Sequence, residues 1–87
     1  MLTGKVILNA PTGLHARPAG ELVKLVKGFK DSIVKISAEG KTANAASMLS
    51  VLALGIKSGT ELEVSVEGGD ERAVLDAVTG FIQSIEG

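Results

Sequence analysis

The chain has no cysteine, tryptophan or tyrosine, and its 87 residues include one histidine, two phenylalanines and two prolines. Without cysteine there is no disulfide and no thiolate metal site. One histidine leaves too few characteristic ligands for a metal centre, so none is expected. The scarcity of aromatics and the formal net charge of −1, nine basic against ten acidic residues, provide neither a stacking platform for bases nor a general pull on nucleic acid. The longest apolar run, Val51-Leu52-Ala53-Leu54, falls far short of the ~20 residues that a membrane span needs. No basic start followed by an apolar stretch marks export, which makes the cytoplasm the expected compartment. A self-sufficient hydrolase or isomerase would need a second acid or base, and no motif supplies one. No cofactor is implied.

What is present is patterned. Leu62, Val64 and Val66 alternate with Glu61, Glu63, Ser65 and Glu67, the period of a strand with one face buried and one in water. Lys5 to Asn9 and Ser32 to Ala38 read similarly, with Val6, Leu8, Val34, Ile36 and Ala38 inward, although Ile7 and Ile33 blur the alternation. Gly40 offers a turn into a short strand near Lys41 to Ala43. One polar face per strand predicts an antiparallel sheet covered on a single side.

Three helices are predicted to supply that cover. From Ala16 to about Gly28, the residues Ala19, Leu22, Val23, Val26 and then Phe29 form a stripe, with Glu21, Lys24 and Lys27 outward. Gly20 interrupts it at a cost of about 1 kcal/mol relative to alanine. Asp70 is placed to cap a second stripe, Val74, Ala77, Val78, Phe81 and Ile85, that runs to the chain's end. Between them, Ser47 to Leu54 is short and apolar almost all round, and Gly55 is placed to stop it. Such a helix has more apolar surface than one sheet can hide, which leaves part of Met48, Leu49 and Leu52 available as a docking patch. The order is strand, helix, two strands, helix, strand, helix, within a single domain over residues 1–87.

The most specific segment is Gly13-Leu14-His15-Ala16-Arg17-Pro18-Ala19. Proline lacks an amide hydrogen and is at home in a helix's first turn, so Pro18 sets the angle at which the chain enters the helix. His15 then stands at the helix mouth, where the first amides are unpaired and the peptide dipoles act like roughly half a positive charge. An anion is favoured there. The amides of Ala16 and Arg17 and the Arg17 guanidinium, whose fork suits phosphate oxygens, converge with the imidazole on one small volume. Imidazole is nucleophilic near neutral pH without loss of a proton. It can accept phosphorus and later release it.

This heptapeptide resembles the active-site motif of the histidine-containing phosphocarrier family, HPr. The likeness extends along the chain through Lys41-Thr42-Ala43-Asn44, Ser47, and Leu54-Gly55-Ile56 before the alternating strand. It implies an α+β fold, the HPr-like open-faced β-sandwich of order βαββαβα, in which three helices cover one face of a four-stranded antiparallel sheet. It implies a role in the phosphoenolpyruvate-dependent sugar phosphotransferase system. His15 would accept a phosphoryl group from enzyme I and pass it to enzyme IIA components, with the phosphate on Nδ1. The protein would be a carrier with a phosphohistidine intermediate rather than a stand-alone enzyme, and a monomer presenting one face to successive partners. A different outcome within the same fold is a regulatory or nitrogen-related paralogue that acts mainly by binding proteins.

The resemblance also maps Ser47 onto the family's regulatory serine, the target of an ATP-dependent kinase and phosphorylase whose product is read by a catabolite-control regulator. Family members under that control commonly carry lysine before this serine and glycine three residues after it, whereas here Ala46 and Ser50 occupy those places. As an N-cap, Ser47 would stabilise its helix by about 1 kcal/mol with no regulatory meaning. Both readings stay open at this residue.

Overall fold

A computed structural model describes residues 1–8 and 16–85. Among these residues the chain forms β1 (Leu2–Ile7), α1 (Ala16–Lys27), β2 (Ile33–Ala38), β3 (Lys41–Asn44), α2 (Met48–Ala53), β4 (Glu61–Glu67) and α3 (Glu71–Ser84). The strands make one antiparallel sheet in the order β1-β4-β2-β3. The later strand β4 lies between β1 and β2, and this closes the sheet's centre around its most regular alternation.

Register explains which face is wet. Val6 pairs with Leu62, Ile36 with Val64, and Val34 with Val66, and all six are buried beneath the helices. Their sequence neighbours turn outward: Lys5 stands opposite Glu63, and the Ser37 and Thr42 hydroxyls share a 2.9 Å hydrogen bond. Ile7 and Ile33 belong to this outer face, at 48% and 53% exposure. That is why they broke the pattern.

The first strand begins earlier than the predicted Lys5, at Leu2. Gly4 hides this in the sequence, since glycine weakens a strand reading. In the structure a Cβ at position 4 would meet both Leu75 methyls at 3.4 Å, so the missing side chain makes room for α3 to lie close on β1. Asn9, the predicted end of the strand, lies outside the described residues.

The helix layer follows from the buried stripes. Ala19, Leu22, Val23 and Val26 of α1 enter the core, as do Val74, Leu75, Val78 and Ile82 of α3. α3 packs on β1 and β4, α2 on β3, and α1 lies between α3 and α2. Asp70 caps α3 by accepting the Ala73 amide at 3.2 Å. The helix stops at Ser84, short of the predicted chain end, because Ile85 turns extended to bury its own side chain. A two-residue turn at Glu39-Gly40, both at positive φ, joins β2 to β3. No helix among the described residues is long and apolar enough to cross a membrane.

Candidate functional site at the start of α1

Among the described residues α1 runs from Ala16, which puts Pro18 in its first turn, where a missing amide hydrogen costs nothing. Arg17 is exposed, whereas Pro18 and Ala19 are buried, so the first turn holds its cation in water on an apolar footing. The first turn carries no acidic side chain to neutralise it. His15 lies outside the described residues, as does the rest of the heptapeptide before Ala16.

The second helix reaches this end of α1. A Cβ at Gly20 would stand 3.7 Å from Met48 Cε and 3.9 Å from its Sδ, so the methionine side chain lies over the glycine. Gly20 follows Arg17 by three residues, ~4.5 Å of helix rise. Met48 of α2 therefore covers a residue one turn along α1 from Arg17. In the sequence Gly20 registers only as a helix defect. Its contact with Met48 depends on how two helices cross, and no local spacing encodes that.

The three apolar residues predicted as a patch part company. Leu49 is 82% exposed and Met48 36%, while Leu52 is half-buried against the core. Val51 is the side chain of α2 that is fully inserted. Ser47 is the N-cap, its Oγ accepting the Ser50 amide at 3.4 Å, and it is half-buried immediately beside Met48. Arg17 and Pro18 thus lie in the first turn of α1, Ser47, Met48 and Leu49 at the start of α2, and Leu52 turns partly inward; Met48 reaches α1 at Gly20. Both phenylalanines belong to the predicted stripes. With Leu25 they also line a shallow apolar groove of about 520 Å³ toward the other end of α1.

The family model for the PTS HPr component phosphorylation site matches residues 2–84. The chain belongs to the HPr family. The matched span includes His15 and Ser47. A phosphocarrier protein HPr from Buchnera aphidicola is 35% identical over 86 residues, covering 99% of this chain and 100% of the relative. An HPr structure from Thermoanaerobacter tengcongensis superposes with a TM-score of 0.90 at 32% identity, covering 97% of this chain and 93% of that one. A second structure from that organism, described as an HPr dimer, gives a TM-score of 0.74 at 32% identity over 97% of this chain and 95% of the other. The open-faced arrangement of four strands and three helices is therefore the HPr fold, and the chain is a phosphotransferase-system phosphocarrier by family.

Proposed function

We propose that this protein carries a phosphoryl group on His15, accepting it from enzyme I and donating it to enzyme IIA components that serve sugar uptake. The observation that carries this reading is the start of α1 in an HPr-family chain: Arg17, two residues after His15, stands in solvent three residues before the glycine that Met48 of α2 covers. In the transfer step a lone pair on His15 Nδ1 attacks phosphorus while the bond from phosphorus to the donor imidazole breaks. The donor nitrogen takes the electron pair. The transferred group's oxygens are then met by the Ala16 and Arg17 amides and the Arg17 guanidinium, and Pro18 supplies rigidity without an amide. Phosphoryl transfer depends mostly on positioning and charge stabilisation, so a small carrier can leave the remainder of each catalytic site to its partners.

Met48 and Leu49, with the exposed part of Leu52, form the docking surface in this reading. Apolar area beside the reacting group supports alternating use by several partners. Residues 1–87 act as one HPr domain in the cytoplasm, and one copy is the working unit. Ser47 adds a second control, because phosphate at the helix start would meet the α2 amides and set about two negative charges beside Met48. That charge would change what docks, for the kinase and phosphorylase as well as for a catabolite-control regulator.

Incubation with phosphoenolpyruvate and enzyme I tests the carrier role. Acid-labile phosphate on the wild type and none on His15→Gln is the expected result, and Arg17→Ala should slow transfer by about 10–100-fold. A wild-type protein that accepts no phosphoryl group would favour a binding regulator of the same fold. A parallel reaction with ATP and the cognate kinase should label Ser47 and not Ser47→Ala; no label would leave Ser47 as a helix cap.

A further inference from the structure

The chain contains two sulfur atoms, those of Met1 and Met48, and no thiol competes with them for an oxidant. Met1 stands at the α3 side of the molecule, its amino group 3.1 Å from Glu71 Oε1. Met48 stands at the seam of α1 and α2, 36% exposed, with its thioether over Gly20. We propose that Met48 is a reversible oxidation site through which hydroperoxides weaken docking of the phosphoryl-transfer partners; this rests on the docking role assigned to Met48 above.

The chemistry is a two-electron oxygen transfer. A sulfur lone pair attacks the distal oxygen of the hydroperoxide, the O–O bond breaks, and a sulfur–oxygen bond forms. The proton of the attacked oxygen moves to the remaining oxygen, which leaves as water or an alcohol. The thioether is oxidised to the sulfoxide and the peroxide is reduced. Partial exposure gives the oxidant access, and the absence of cysteine removes its usual first target.

The consequence follows from where the new oxygen lands. Met48 Sδ lies over Gly20, which has no side chain and whose own amide lies beyond the unpaired first four of α1, so Gly20 gives the S–O dipole no donor. At a residue 36% exposed the new oxygen is hydrated. A partner that buries this surface would have to strip that hydration without replacing it, whereas the groups at the start of α1 remain chemically unchanged. Oxidation should therefore act on encounter and leave the chemical step alone.

Full-length protein treated with hydrogen peroxide and mapped by peptide mass spectrometry should carry one added oxygen on Met48. Its KM as a substrate of phospho-enzyme I should rise about fivefold with kcat within about twofold, as expected for losing a small apolar contact. Methionine sulfoxide reductase should restore the KM. Met48→Leu, whatever its own starting KM, should show the same value before and after peroxide. Complete conversion of Met48 with an unchanged KM would overturn the proposal, as would a peroxide effect that survives in Met48→Leu. Failure to accept phosphate before any peroxide is a different result: it overturns the carrier reading first, and this inference with it.

Discussion

Glu71 ties three parts of the molecule together through one carboxylate. Its Oε2 accepts the Gly68 amide at 2.8 Å, and its Oε1 lies 3.1 Å from the Met1 amino group. The Gly68 hydrogen bond above all, and then the Met1 ammonium, hold the carboxyl below its ordinary range against a small opposing effect of burial. A folded-state pKa below the unfolded value means that this contribution is present above the unfolded value of ~4.3 and fades as pH falls through the folded one. Denaturant unfolding measured from about pH 7 down to about pH 3 should show the wild type losing more stability than Glu71→Gln over the acid range. Parallel curves for the two proteins would remove Glu71 from the acid response.

At the scale of elements, the glycines around α3 separate helix propensity from backbone demand. Gly80 sits on the exposed side of α3, and a Cβ there would meet nothing within 4 Å. Gly80→Ala should stabilise the protein by about 0.5–1 kcal/mol, read from denaturant midpoints. Gly68, in the turn before the same helix, has φ +87°, and a Cβ there would fall 2.7 Å from the Asp31 carbonyl oxygen. That turn is stitched to the loop before β2 by the Ser32 hydroxyl, which donates to the Gly68 carbonyl at 2.8 Å. Gly68→Ala should cost about 1–3 kcal/mol by the same measurement. Both glycines look alike in the sequence. The contact between two distant loops distinguishes them.

For the whole molecule, stability rests on a core that fills the space between one sheet face and the helix layer. Ile36 and Ile33 are three residues apart on β2, yet Ile36 is fully enclosed and Ile33 is 53% exposed on the other face. Ile36→Ala should cost about 2–5 kcal/mol, a large part of what holds a domain of this size together. Ile33→Ala should cost less than about 1 kcal/mol, through strand preference alone. Thermal or denaturant unfolding of the pair measures the asymmetry, and equal losses would contradict the one-sided cover.

Much of the architecture was legible before any coordinates. The alternation of Glu61–Glu67, the stripe from Ala19 to Val26, and the caps at Ser47 and Asp70 all occur where period and side-chain chemistry put them. These signals are local: a strand's two faces and a helix's first turn are written within a few residues. The extension of β1 to Leu2 was hidden because Gly4 makes sense only under Leu75. Leu75 and Ile82 likewise fall outside the predicted stripe and are buried because α3 lies across β1 and β4.

By itself the sequence determined the element types, the one-sided sheet and a family-specific motif around His15, since each is carried by residue chemistry over short spans. Tertiary structure alone decided that β4 lies between β1 and β2, that Leu49 faces solvent while Leu52 turns partly inward, and that Met48 lies over Gly20. Those outcomes depend on how packed surfaces meet across long stretches of chain, where complementary shape and the avoidance of overlap choose among arrangements that local preference leaves equal.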